Sequence, residues 1–228
     1  MVTPVVRSWP VPIVLVLLGA LPLLAGVLRL IQLAGGPAVI AADARLDPAP
    51  LVVVHVIGAT MFVLLGAVQF VPGLRRGAWH RRAGRWVAAA GLVVAASALT
   101  MTLVYPARPG TGELLFVLRL VFGSALAAFL VLGVSAARRK DLAAHRAWMI
   151  RAYAVALAAG TQPLTETLGP VLFGHTVLVH DLSSGAGWLL NLAVGECIIR
   201  FGAVRTLSPG GSAERAGRAG GGRRSPRA

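Results

Sequence analysis

Two histidines sit in matching surroundings, each followed by an arginine at the start of an apolar run. His80-Arg81 precedes Gly84, Arg85 and Trp86, and His145-Arg146 precedes Trp148, Met149 and Arg151. One inward histidine on each of two neighbouring helices is what bis-histidine ligation of a b-type haem requires. Arg81, Arg85 and Arg146 would then pair with haem propionates, or with lipid phosphates if no haem is present. A second group lies within apolar stretches at comparable depth: His55, Arg29, Arg119, Gln162, Thr165 and Glu166. Polar and ionisable residues in such stretches are costly and face a cavity or one another, so they predict a shared polar pocket. The alternative for Arg29 and Arg119 is to reach outward to headgroups. Glu196 has Arg200 four residues on, a spacing that predicts an ion pair along one helix.

Other chemistries lack their residues. There is no HExxH, CxxC, CxxCH or G-x-S-x-G, and the only lysine, Lys140, follows arginines rather than a glycine-rich loop. No catalytic residue is therefore assigned. His175 and His180 are five apart, which suits neither a helical metal pair nor one face of a strand, so no metal is expected beyond a haem iron. Cys197 is the only cysteine, which excludes a disulfide scaffold.

The elements that must position these groups follow from composition. Hydrophobic residues make up 57% of the 228-residue chain and charged residues 13%, the latter about half the soluble norm. A soluble domain of this size cannot hide that much apolar surface, and a disordered chain would not carry it. The fold class expected is an all-α integral membrane protein with six transmembrane helices. Spans of bilayer length fall at about 9–33, 50–71, 85–104, 114–136, 148–168 and 185–204. The first run is too long for a signal peptide. Spans two to five form a four-helix core of two similar hairpins: Phe62–Ala90 and Phe129–Ala156 each end a helix, turn through arginines and open the next helix at His-Arg. From His80, helical steps reach Gly84, Ala88, Gly91, Ala95 and Ala98. From His145 they reach Met149, Ala152, Ala156 and Ala159. Such stripes of small residues fit close helix packing or a slot for a flat ligand.

The net charge of +14 is a matter of topology rather than of nucleic-acid binding. Arg75, Arg76, Arg81, Arg82 and Arg85 join spans two and three; Arg138, Arg139, Lys140, Arg146 and Arg151 join spans four and five; the C-terminal end holds Arg200, Arg205 and five more arginines. The other connections carry Asp43, Asp47, Glu113 and Asp181 with few arginines. By the positive-inside rule both termini are cytoplasmic, in a bacterial inner membrane. The connections at 34–49, 105–113 and 169–184 are then external. Trp79, Trp86, Trp148 and Trp188 read as interfacial anchors. Apart from Leu207 and Glu214, residues 207–228 are Gly, Ser, Pro, Ala and Arg and read as a disordered basic tail whose arginines can touch anionic headgroups.

His55-x-x-Gly58, Gly66-x-x-Gln69-Phe70, Trp79-His-Arg-Arg-Ala-Gly-Arg-Trp86 and the run from His145 to Ala154 resemble a family of bacterial multi-pass membrane proteins. That family is catalogued as domain of unknown function twenty-three-zero-six. The resemblance covers about His55 to Glu166 and implies a membrane location and no activity. An arginine often found late in span five of that family is replaced here by the stretch containing Gln162 and Pro163. The arrangement is also loosely similar, at the level of fold, to transmembrane b-type cytochromes. Three functions stay open: a single haem held by His80 and His145 for electron transfer, a small-solute binder or transporter using the polar pocket, or a structural membrane protein without turnover.

Overall fold

The computed structural model describes residues 10–40, 50–74 and 77–207. Arg7, Asp43, Arg45, Asp47, Arg75, Arg76 and residues 208–228 lie outside the described residues. Among the described residues all regular structure is helical: α1 (Pro10–Leu33), α2 (Pro50–Gln69), a short 3-10 turn (Pro72–Leu74), α3 (Ala78–Val104), α4 (Glu113–Arg138), α5 (Leu142–Ala156), α6 (Ala158–Phe173) and α7 (Val177–Leu207). Five of these, α1 to α4 and α7, are long and apolar enough to cross a membrane.

Three boundaries differ from the sequence reading. α3 begins at Ala78, not near 85, because alanine and arginine are good helix formers and the polar first turns continue the apolar run. His80, Arg81, Arg82 and Arg85 are thus helical. α7 begins at Val177, not 185. The Thr176 hydroxyl accepts from the Val179 amide at 3.2 Å and caps the helix start, so the expected external connection shrinks to residues 174–176. The stretch expected to form the fifth span is two helices. α5 and α6 hold 15 and 16 residues, roughly 23 and 24 Å at 1.5 Å per residue, and neither alone crosses about 30 Å of hydrocarbon.

The break between α5 and α6 is at Leu157, where the Gly160 amide bonds back to the Leu157 carbonyl at 2.9 Å, a tighter turn than the α-helical ladder. α7 lines both halves: its Gly195 touches Ile150 and Ala154 of α5, and its Gly187 lies against Gln162 of α6. Asn191 of α7 spans the junction. Its Nδ2 donates to the Ala154 carbonyl at 3.2 Å, and its Oδ1 accepts from Thr161 Oγ1 at 2.8 Å. Backbone irregularity at membrane depth is tolerated where such groups satisfy it.

The buried core draws on Phe62, Val63 and Ala67 of α2, Val87, Val94 and Ala95 of α3, Phe122, Leu126 and Leu130 of α4, and Ala152, Tyr153 and Val155 of α5. The core is closely packed about Tyr153, on the arginine-rich side of the break at Leu157. There the Tyr153 hydroxyl donates to the Val63 carbonyl at 2.5 Å. The Tyr153 ring lies 5.5 Å from Phe62 and 5.1 Å from Phe70, centroid to centroid. A methyl on Gly91 would come within 2.6 Å of Phe62 and 2.7 Å of Leu130. The small stripe on α3 is therefore filled by neighbouring side chains at Gly91, and is no slot there. At the same end α4 closes with Lys140 at φ 63°, while the Asp141 and Lys140 amides bond to the Ala136 and Ala137 carbonyls at 3.0 Å each. That Schellman closure leaves only residues 139–141 to reverse the chain.

Candidate functional site

At the arginine-poor end the bundle is hollow. A cavity of about 740 Å³ lies between α1, α2, α3, α4, α6 and the Trp188 side of α7, beneath the α3–α4 connection at 105–112. It is reached by His55, Ala59 and Phe62 of α2, Ala98, Met101 and Thr102 of α3, and Arg119, Phe122 and Leu126 of α4, with Leu157, Gly160 and Gln162 at the break. His55 is five residues into α2 and Arg119 six into α4, about 8 and 9 Å from their helix ends at 1.5 Å per residue. Phe62 and Leu126 lie about 18 and 20 Å in by the same measure and form the floor. The depth follows from helical phase: Arg119, Phe122 and Leu126 are spaced i, i+3, i+7 and share one face of α4.

His55 Nδ1 is 3.0 Å from Ser97 Oγ, and that hydroxyl lies 2.6 Å from the Val93 carbonyl and 3.1 Å from that of Val94. The hydroxyl has one proton, and carbonyls only accept. Ser97 therefore donates to the backbone and accepts from His55 Nδ1–H, which leaves His55 Nε2 as an acceptor. Trp188 stacks on Phe122 at 4.8 Å and 12°. It is a wall of the cavity rather than an interfacial anchor, whereas Trp86 keeps 66% exposure at the bundle surface.

Of the residues expected to share a pocket, His55, Arg119 and Gln162 line this one cavity. Gln162 also donates through Nε2 to the Ser184 carbonyl at 3.1 Å. Arg29 and Glu166 are not in its lining. Arg29 Nη1 donates to Gln32 at 2.9 Å along its own helix, and Glu166 accepts from the Ser184 hydroxyl at 2.5 Å. Thr165 donates to the Gln162 carbonyl at 3.1 Å. The cavity also has members that the sequence did not announce. Pro22 of α1 lacks the amide that would bond the Leu18 carbonyl. That carbonyl faces Gly160, where any Cβ would overlap it. A proline in one helix and a break in another thus meet beside the cavity.

The ion pair of Glu196 is corrected. Arg151 of α5 grips it, Nε to Oε1 at 2.5 Å and Nη2 to Oε2 at 3.1 Å. The Arg151 guanidinium also lies 4.7 Å from the Trp148 ring centre. The same-helix Arg200 is exposed. A bidentate fork across helices offers better geometry than an i+4 pair. Asp181, counted as a loop acid, is 1% exposed. It accepts from the Gly112 and Leu115 amides at 3.1 Å each, capping α4 from α7.

At the arginine-rich end His80 and His145 each lie in the first turn of a helix, half-buried. His145 Nδ1 is 2.8 Å from the Gly133 carbonyl and donates to it. α3 packs on α2 and α4, and α5 on α4 and α7, so the two histidine helices are not the direct neighbours that bis-histidine ligation was expected to use. Arg81, Arg82, Arg85 and Arg146 are exposed around them. No group of three or more metal-ligating His, Cys, Asp or Glu exists among the described residues.

A family model described as "Predicted membrane protein (DUF2306)" matches residues 52–199, and the chain belongs to that family. The match covers α2 to α6 and most of α7, and so includes all of the cavity's wall except that given by α1. No curated protein and no solved structure matches the chain.

Proposed function

We propose that this member of a family of multi-pass membrane proteins takes a small solute from the external side into the cavity and moves it, with α5–α6 as a single broken span. The observation that carries this reading is the cavity's position. It reaches the midplane, is walled by the helix break at Leu157–Gly160 and by Pro22, and ends on closely packed Phe62, Tyr153 and Leu130. Solute sites of secondary transporters lie near the midplane beside discontinuous helices. The cavity's volume falls in the range of about 300–1,000 Å³ typical of ligand sites. Arginine clusters on the opposite face support a cytoplasmic placement of that face in a bacterial inner membrane, with its exposed arginines on anionic headgroups.

The test is access. In a Cys197→Ser background, Ala98→Cys in the cavity should react with a membrane-impermeant thiol reagent added outside right-side-out vesicles. Ala88→Cys, in the packed half, should not. An unreactive Ala98→Cys, or equal reaction at both, overturns the reading.

His145 favours a second reading. Its bond from Nδ1 to the Gly133 carbonyl leaves Nε2 as the nitrogen that would ligate iron, the arrangement that orients axial histidines. His80 would supply the other ligand, and Arg81, Arg85 and Arg146 the propionate partners. A haem supplies reversible one-electron chemistry when bound. Protein purified from haem-replete cells should then show a Soret band that His145→Ala abolishes and His55→Ala leaves. A colourless preparation removes this reading and leaves the first untouched.

A further inference from the structure

One face of α2 runs from the cavity to the opposite end of the bundle. His55, Ala59, Phe62, Gly66 and Gln69 follow one another at helical steps of four, three, four and three. The first three line the cavity, and Gln69, the last residue of the helix, lies outside its lining. The Gln69 amide oxygen and nitrogen are both buried and find no hydrogen-bond partner among the described residues. Beside them is Gly84 of α3, where a Cβ would stand 3.9 Å from Gln69 Oε1. Between Phe62 and Gln69 stands Tyr153. Its ring fills the notch at Gly66, where a Cβ would come within 2.5 Å of Cε2. Phe62 and Phe70 flank that ring, and the hydroxyl bond to the Val63 carbonyl ties it to α2. Tyr153 belongs to the last turn of α5, four residues before the break at Leu157.

We propose that Tyr153 is the inner gate of the solute route, closed in this structure, and that Gln69 is the first polar group beyond it. The proposal rests on the cavity reading and adds where the route is shut and how it opens. A buried amide with neither atom bonded destabilises the state that holds it. Opening admits water to Gln69 and satisfies both atoms, so the closed state carries a cost that opening relieves. The latch on the other side of the balance is one neutral hydrogen bond from the Tyr153 hydroxyl, modest in net strength. Hinges lie at the ends of elements, and α5 ends at the break. Tilting of α5 about Leu157 therefore lifts Tyr153 off α2 and leaves α6 in place. Gly66 is glycine because the ring occupies the space of a Cβ. The segment Gly66-x-x-Gln69-Phe70 is then the seat of the gate, supplying its notch, its polar exit and one ring wall.

The experiment reads which face of the membrane reaches the cavity. Ala98→Cys in the Cys197→Ser protein is labelled with the membrane-impermeant thiol reagent in right-side-out and in inside-out vesicles. The parent should react from outside and at least tenfold more slowly from the arginine-rich face. Tyr153→Phe keeps the ring and removes the latch, and Gly66→Ala displaces the ring. Each should raise the rate from the arginine-rich face at least threefold. Phe129→Leu, at a ring pair with Trp148, should leave both rates as they are. Outside labelling at the parental rate shows that a variant is folded. Equal labelling of the parent from both faces, or unchanged rates from the arginine-rich face in both gate variants, overturns the gate. Gln69→Leu gives a test that needs neither of those variants to fold. It removes an amide that the closed state leaves unbonded and should raise the melting midpoint; an unchanged or lowered midpoint overturns the assignment of Gln69. Failure of the gate variants with successful outside labelling of the parent removes the gate alone, whereas failure of that outside labelling overturns the cavity reading itself.

Discussion

Glu196 shows how a correctly chosen residue can be given the wrong partner. Sequence spacing offers Arg200 at i+4, and nothing local reveals that Arg151, 45 residues away, approaches from another helix. Arg151 is nine residues into α5, about 13 Å along it, so neither charge is at a helix end. Removing Arg151 leaves Glu196 with only the more distant Arg200, and removing Glu196 leaves Arg151 without its carboxylate, so each single change is costly inside a span. Arg151→Met and Glu196→Met should each lower the melting midpoint in detergent strongly, while the double variant recovers most of the loss. A double-mutant cycle with additive effects, or an unchanged midpoint in either single variant, would contradict the pair. Asp181 carries the same lesson. Its acidity was legible, but its place beneath the opening turn of α4 depends on where α7 starts.

The long apolar runs were readable because bilayer length and apolar content are strong signals. α1, α2 and α4 begin and end within a few residues of the sequence boundaries. The break in the fifth run was not. Residues 148–168 read as one stretch; Pro163 lacks the amide that would bond the Ala159 carbonyl, two residues past the discontinuity at Leu157, so proline hinted at a broken span without giving the form of the break. What fixes the break is tertiary: Asn191 holds the Ala154 carbonyl on one side and Thr161 on the other. Interhelical hydrogen bonds in membranes average about 0.6 kcal/mol and reach about 1.7. Asn191→Leu should therefore cost about 1–2 kcal/mol, and Thr161→Val less. Combining them should be no worse than Asn191→Leu alone, because both remove the same bond. Thermal melts of the three variants decide it; Asn191→Leu matching the parent would show that the break holds without this bridge.

Across the bundle, the site was half legible. His55, Arg119 and Gln162 stood out as polar residues at one depth, and depth is a one-dimensional property that counting along a helix supplies. Which of them face one space is a matter of helix rotation and neighbours. That is why Arg29 and Glu166, at similar depth, belong elsewhere, why Trp188 was read as an anchor and not as a wall, and why Gly160 gave no signal. The contrast between a hollow arginine-poor half and a packed arginine-rich half is the central claim. α3 runs through both halves, so spin labels along it read the claim directly. Collision rates with a water-soluble nickel chelate and with oxygen, which concentrates in lipid, should be measured at Ala98, Thr102, Ala88 and Leu92 after substitution to cysteine in the Cys197→Ser protein in nanodiscs. Nickel should dominate at 98 and 102, oxygen at the lipid-facing 92, and neither should be high at 88. Oxygen dominance at 98 and 102, equal to that at 92, would mean that lipid rather than water fills the space and would contradict the account.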